Sequence, residues 1–191
     1  FVITSRDITS ERKAWKELET RERILRSISS LSEDLIRGGG SMDPIVHAMK
    51  DMGEALDISR VYVFQNHRTK GGKVLTSQVQ EWVANGISPQ IDNPDLQNTD
   101  MLKDGFSRWV RELSSGRPIK GPVGKFPEKE RRYLEMQDIR SILVVPIMSG
   151  NEWWGFMGFD DCRSEREWSA PEIEALKTAA NIFGYGLQLT K

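Results

Sequence analysis

Residues 140–159, RSILVVPIMSGNEWWGFMGF, carry the strongest structural signal in the sequence. Residues 140–148 are a run of apolar and β-branched side chains with the length of one buried strand. Ser149-Gly150-Asn151 is a turn sequence, and residues 152–159 are a second apolar and aromatic run. We therefore predict a β-hairpin that supplies much of the apolar surface of a sheet.

A second pair of strands is predicted upstream of the hairpin. Residues 61–64 and 73–84 are rich in β-branched and aromatic side chains, and Lys70-Gly71-Gly72 supplies a turn between them. Residues 85–105 contain prolines, asparagines and glycines with little periodicity, which predicts a long irregular loop. Because long loops in compact domains are often functional, we expect this loop to cover a pocket.

Several helices are predicted around these strands. Asp43-Pro44 begins one of them, with Asp as the N-cap and Pro at the first helical position. Two short helices fall within residues 106–116 and 127–137. Ser169 and Glu172 have the spacing of a capping box, so the last helix is expected to begin there.

Residues 11–37 contain no proline or glycine and are predicted to form one long, highly charged helix. Its apolar residues form a narrow seam, which is typical of a helix that pairs with another helix. The predicted interface of a parallel homodimer consists of Leu18, Leu25, Ile28, Leu31 and Leu35. Packing of this helix on its own domain is the alternative. The run Gly38–Gly40 is expected to end the helix at a flexible joint.

Composition and charge exclude several classes of protein. A length of 191 residues with 38% hydrophobic residues suits one domain with an appended segment. The 27 Lys and Arg residues balance 28 Asp and Glu residues, so we expect no nucleic-acid partner. Apolar runs fall far short of the ~20 residues of a membrane-spanning helix, so no membrane contact is expected. One cysteine excludes an internal disulfide and predicts a cytoplasmic location, and no metal site is predicted.

The order of these elements resembles that of the GAF domain family. The similarity covers about residues 24–189 and is most specific in RSILVVPI, in EWWGFMGFDD and in the helix that begins at Ser169. Residues 5–13, SRDITSERK, resemble the segment that ends a PAS domain and starts its exit helix. Because residues 1–6 also read as a strand without a partner, we expect a piece of a longer polypeptide.

The resemblance implies an α+β sandwich with a mainly antiparallel six-stranded sheet, helices on both faces and a long N-terminal linker helix. It divides the chain into the end of a PAS-like domain (1–10), a helical signalling linker that continues into the first GAF helix (11–37) and a GAF-like sensory domain (38–191). The implied function is a regulatory sensor module that binds a small ligand and/or relays a signal through dimeric helices. The parent protein is expected to be a sensor histidine kinase with linked PAS and kinase domains, and this segment is expected not to be an enzyme.

Aromatic side chains are the candidate ligand-binding residues, because small-molecule pockets are mostly apolar. The proposed lining residues are Trp109, Trp82, Phe64, Phe106, Tyr133 and Phe159. Ordinary core packing is the alternative for each of them. The adjacent Trp153 and Trp154 are expected to point to opposite faces of one strand.

Cys162 is the candidate cofactor-binding residue. The resemblance to GAF domains of sensor kinases implies one alternative function, a haem-binding redox or gas sensor, in which the cysteine would hold haem through its thiolate or through a thioether bond. The other alternative is a dimerisation and signal-transmission element without a ligand. A catalytic role for Cys162 is not expected, because His47 and His67 have no motif relation to it.

Overall fold

The computed structural model describes residues 9–36 and 43–189. Within these residues the elements follow in the order α1 (Thr9–Ile36), α2 (Asp43–Leu56), β1 (Arg60–Arg68), β2 (Val74–Val83), α3 (Ser107–Ser114), β3 (Ile119–Pro122), α4 (Glu128–Glu135), β4 (Ser141–Ser149), β5 (Glu152–Asp161) and α5 (Ala170–Leu189). Short 3-10 helices lie at Pro94–Leu96 and Val123–Lys125. None of the helices in the described part of the chain combines the length and apolar character needed to cross a bilayer.

The strands form one antiparallel sheet in the order β2-β1-β5-β4-β3. The predicted number of six strands is wrong for the described residues, which contribute five. The predicted strand at residues 1–6 lies outside them. Strand β3 was not predicted, because its four residues, IKGP, are too few and too rich in Gly and Pro to indicate a strand.

The predicted hairpin is confirmed as β4 and β5, which pair along their whole lengths. Gly150 turns the chain with a φ of 59°, a left-handed conformation that glycine adopts without strain. The predicted capping box is also present at the start of α5. The Ser169 backbone N–H donates to Glu172 Oε2 at 2.9 Å, and the Glu172 N–H donates to Ser169 Oγ at 3.4 Å.

Alternate residues of the central strands belong to two different apolar cores. Val61 and Val63 of β1 lie in a core with α1, α2 and α5 on one face of the sheet. Tyr62 and Phe64 lie in a second core with α3, α4 and the long loop on the other face. This follows from the two-residue period of a strand, and it confirms the predicted helices on both faces.

The long helix α1 packs on its own domain through one stripe. Ile24 and Ile28, one turn apart, are 0% and 6% exposed and belong to the core beneath α2 and α5. The assignment of Ile28 to a dimer seam is therefore wrong, because the helical period turns that side chain toward the sheet. Leu18 and Leu25 are exposed, at 55% and 43%. The side chains of Leu31 and Leu35, and the run Gly38–Gly40, lie outside the described residues.

Candidate functional site

A small cavity lies between the sheet and the layer formed by α3, α4 and the long loop. Its volume is about 60 Å³, and residues of β1, β2 and β5 line it on the sheet side. The long loop contributes Gln90, Leu96, Thr99 and Met101 to the opposite wall. The predicted position of this loop over a pocket is therefore confirmed. A bridge between Thr76 and Thr99 fastens the loop to β2.

Aromatic rings form the apolar end of the cavity. Phe64 and Phe156 lie opposite each other in the β1–β5 register, and their rings stack with centroids 4.8 Å apart. Trp109 of α3 meets Phe156 edge to face at 6.4 Å, and Phe106 meets Trp109 in the same way at 5.3 Å. Tyr133 of α4 completes this cluster through its contact with Phe106. The interdigitated rings leave little free space.

A buried carboxylate fixes the orientation of Trp109. Glu130 of α4 is 2% exposed, and its Oε2 accepts a 2.8 Å hydrogen bond from the Trp109 indole Nε1. Arg108 donates to both oxygens of the same carboxylate and forms an ion pair with it. One residue of α4 therefore binds two consecutive residues of α3 and holds the two helices together above the cavity.

Charged residues of β1 and β5 form the polar end of the cavity. Arg60 and Asp160 lie opposite each other in the register and are 2% and 1% exposed. Arg60 Nη1 lies 3.5 Å from Asp160 Oδ2, and Tyr62 donates its hydroxyl to Asp160 Oδ1 at 2.9 Å. Burial raises the pKa of Asp160 to about 7, although the positive charge of Arg60 opposes this rise. Burial also raises the pKa of Tyr62.

Arg60 also fastens the polar end to the layer above it. Its Nη2 donates to the Gln137 carbonyl at 2.8 Å, just beyond α4, and its Nε donates to the Ser88 carbonyl at 3.2 Å. One strand residue is thus hydrogen-bonded to both the end of α4 and the long loop. A shift of Arg60 would move both of them.

A β-bulge in β2 turns two further polar residues toward the cavity. Val79 is the extra residue, because Gln80 lies opposite Val63 whereas Gln78 lies opposite Phe64. Gln78 and Glu81 would point to opposite faces of a regular strand, yet both line the cavity. The Glu81 carboxylate accepts hydrogen bonds from the backbone N–H groups of Gln90 and Ile91 at 2.8–3.0 Å.

Four of the six predicted lining residues lie at the cavity, namely Phe64, Phe106, Trp109 and Tyr133. Trp82 and Phe159 were placed wrongly, since both lie on the face that α1, α2 and α5 cover. Both of them pair with Val61, which faces that side, and opposite residues of antiparallel strands share a face. The expectation for the adjacent tryptophans is confirmed, because Trp153 packs on the cavity-side core and Trp154 on the other.

The residues around Cys162 do not fit a haem site. Cys162 packs at the edge of the cavity-side core but does not line the cavity, and burial raises the pKa of its thiol. His47 is exposed on α2, on the other face of the sheet, and His67 Nε2 lies 3.0 Å from Asn98 Oδ1. A volume of about 60 Å³ is also well below the roughly 300–1,000 Å³ of cofactor-sized pockets. The structure therefore does not support haem binding at Cys162.

Sequence reasoning missed the polar residues Arg60, Gln78, Glu81, Glu130 and Asp160. Asp160 and its neighbour Asp161 are buried, at 1% and 4% exposed, although charged residues at a strand end are usually solvated. The sequence feature that could have indicated buried charges is the position of Arg60 and Asp160 next to the apolar runs of their strands. The strand register that pairs them could not be read from the sequence.

Residues 46–187 match the family model of the GAF domain. The chain is 42% identical over 180 residues to the methanogenesis regulatory histidine kinase FilI of Methanothrix harundinacea (strain 6Ac), covering 94% of this chain. It spans about a fifth of the length of that relative, 20%.

Solved structures of GAF domains share the fold. The phycoerythrobilin-bound GAF domain of a cyanobacterial phytochrome has a TM-score of 0.67 at 17% identity, covering 89% of this chain and 95% of that one. The blue-light absorbing form of the Thermosynechococcus elongatus PixJ GAF domain has a TM-score of 0.60 at 20% identity, covering 87% of each chain. At these identities the likeness concerns the fold alone.

Proposed function

The chain belongs to the GAF domain family, and from this premise we propose that it is the regulatory sensor module of a signal-transduction protein. It binds a small molecule in the cavity and relays the bound state to an output domain outside this chain. Its similarity to a regulatory histidine kinase supports a kinase as that output domain. The module itself is proposed to have no catalytic activity.

The observation that carries this proposal is a cavity whose wall is the same sheet that supports α1 and α5. Phe64 and Phe156 line the cavity. Their strand neighbours Val63 and Met157 belong to the core that contains residues of α1, α2 and α5. A displacement of β1 or β5 at the cavity would therefore move residues that contact these helices, which supports a relay from the ligand to the helices.

Thermal denaturation in the presence of small metabolites tests whether the cavity binds a ligand. A ligand at 100 times its Kd stabilises the folded state by about 2.7 kcal/mol. For a domain of this size that corresponds to a rise in Tm of about 5–10 °C. We expect at least one metabolite to produce such a rise in the wild-type chain. The Thr76→Leu variant should lose it, because Thr76 lines the cavity and leucine would fill part of the free volume.

Thr178→Leu is the matched control, since Thr178 is exposed on α5 and far from the cavity wall. This variant should keep the full rise in Tm. A ligand that stabilises wild-type protein and Thr76→Leu equally would show that it binds elsewhere, and the proposed ligand site would be wrong.

We further propose that the module forms a parallel homodimer through the exposed stripe of α1. Trp15, Leu18 and Leu25 are 72%, 55% and 43% exposed and follow one another at spacings of three and seven residues. Such spacing places them on one side of a helix, as in a coiled-coil seam. Ile28 is excluded from this interface because it lies in the domain core. Leu31 and Leu35, in the same helix, remain proposed members.

Replacing both Leu18 and Leu25 with Asp should convert the dimer to a folded monomer. Aspartates at a paired apolar seam are desolvated and repel each other, whereas at an exposed monomer surface they cost little. Light scattering at about 10–100 µM, a range for moderate affinity, measures the mass. The control carries Leu102→Asp and Met136→Asp, which are 64% and 76% exposed away from α1. A monomeric wild-type chain in this range would refute the dimer.

The remaining parts of the proposal concern the longer protein. We propose that residues 1–10 end an upstream PAS-like domain and that residues 11–37 connect it to the GAF domain as a signalling linker. The helix α1 spans most of this linker and packs on the core at Ile24, which supports direct coupling between the two. A cytoplasmic location is proposed on the ground of the lone cysteine, Cys162.

A dimerisation and transmission element without a ligand is the second candidate. The observation that favours it is the small free volume of about 60 Å³. Aromatic side chains occupy most of the remaining space between the sheet and the short helices. This candidate predicts a dimer whose Tm no metabolite changes. The same two measurements therefore separate it from the ligand-binding proposal.

A further inference from the structure

One buried polar group at the cavity lacks a partner. Gln78 is 4% exposed and lines the cavity, and its side-chain Nε2 has no hydrogen-bond partner among the described residues. Buried amide nitrogens in folded proteins are almost always hydrogen-bonded, and an unmade bond is destabilising. Gln78 reaches this wall because it lies opposite Phe64, a cavity residue of β1. An acceptor atom inside the cavity would satisfy its N–H group.

The charges around the cavity are already engaged within the protein. Arg60 donates to two backbone carbonyls and lies beside Asp160, and Glu81 accepts from two backbone N–H groups. Tyr133 donates its hydroxyl to the Asp95 carbonyl. A charged ligand would enter without a free counter-charge, and burying an unpaired ion is strongly unfavourable. The cavity therefore favours an uncharged ligand.

The free volume limits the size of the ligand. One water-sized group needs about 10–15 Å³ of such free volume. The volume here is about 60 Å³, which is room for about four such groups, so a ligand of about four non-hydrogen atoms is the appropriate size. Its apolar part would contact Trp109 and Phe156, which form the aromatic end.

We propose that the cavity binds a small uncharged carbonyl compound, a short amide or ketone, whose oxygen accepts a hydrogen bond from Gln78 Nε2. This inference rests on the proposed function, since it names the ligand class of the same cavity. Gln78 then anchors the oxygen of the ligand, and the lack of a free counter-charge among the described lining residues disfavours the charged isosteres.

Acetamide, acetate and acetamidinium test the proposal, because they share one shape and differ in charge. We expect acetamide to bind the full chain with a Kd of about 1 mM, since four atoms rarely support an affinity tighter than tens of micromolar. Acetate and acetamidinium should bind at least about tenfold more weakly. ¹⁵N–¹H NMR titration follows the Trp109 indole N–H, which donates to Glu130 beside the cavity and reports on its occupancy.

The Gln78→Leu variant should weaken acetamide binding at least tenfold, and its spectrum also shows whether it is folded. Gln78→Met, which has nearly the length of glutamine, gives the same test if the leucine variant does not fold. Gln80→Leu is the matched control, because Gln80 lies opposite Val63 and does not line the cavity.

Two results would overturn the inference. One is equal binding of acetamide by wild-type protein and Gln78→Leu, and the other is absence of acetamide binding at about 100 mM, which would leave buried water as the partner of Gln78. Neither result refutes the proposed function, because the metabolite screen detects ligands of other chemical classes independently. A metabolite screen in which no compound raises the Tm would refute the proposed ligand site itself.

Discussion

We expect Gly155→Ala to lower the free energy of unfolding by at least about 3 kcal/mol, the upper end for overpacking a folded interior. A Cβ at residue 155 would lie 2.1 Å from the Phe64 carbonyl oxygen and 3.2 Å from Gln65 Cα. These are backbone atoms of the neighbouring strand, which cannot rotate away as the end of a side chain can. β1 and β5 would have to separate where Gln65 pairs with residue 155.

Thermal denaturation should show this loss as a fall in Tm of about 6–12 °C. Gly124→Ala is the matched control, because a Cβ there meets no heavy atom within 4 Å and Gly124 lacks a positive φ. Its stability should stay within about 0.5 kcal/mol of wild type. Identical melting curves for the two variants would contradict the close approach of β1 and β5.

Glu130→Ala is expected to lower the free energy of unfolding by about 3 kcal/mol. The substitution leaves the buried Trp109 Nε1 without its acceptor and Arg108 without its ion-pair partner. Because the Arg108 side chain is 33% exposed, we place the effect at the lower end of the range for a broken buried pair. Guanidinium titration gives the free energy, and tryptophan fluorescence should shift as Trp109 loses its fixed orientation.

Glu130→Gln retains an oxygen acceptor for Trp109 and should lose only about half as much stability. Glu135→Ala is the control on the same helix, since Glu135 is 54% exposed and its nearest ion-pair contact, to Arg131, is 3.8 Å long. A surface pair of this kind contributes little. If Glu130→Ala were as stable as Glu135→Ala, the carboxylate would not be holding α3 and α4 together.

Local patterns predicted the elements whose signals are contiguous in the chain. The hairpin β4–β5, the capping box at Ser169 and the start of α2 at Asp43 all depend on residues within a few positions of one another. The face of the sheet on which an aromatic residue lies depends on whether its position along the strand is odd or even. The wrong assignment of Phe159 to the cavity shows this dependence. Phe159 lies three residues from Phe156, an odd spacing that places the two rings on opposite faces of one strand.

The polar features of the cavity depend on long-range pairing. Arg60 and Asp160 are one hundred residues apart, and only the register of β1 against β5 makes them neighbours. Glu81 reaches the cavity because one extra residue, Val79, changes the parity of β2 after Gln78. Glu130 is one of several charged residues in the short helix α4, and its burial follows from the packing of α4 against Trp109. No local pattern contains this information.

The division of β1 and β5 between two cores also restricts how the sheet can move. If β5 slid past β1 by one residue, Phe156 would enter the core under α5 and Met157 would enter the aromatic cluster. Both cores would then hold side chains of the wrong shape. A one-residue slide of β5 along β1 therefore cannot carry a signal across the sheet. Any signal that crosses the sheet must travel as bending or twisting of strands that keep their register, with both layers of helices displaced together.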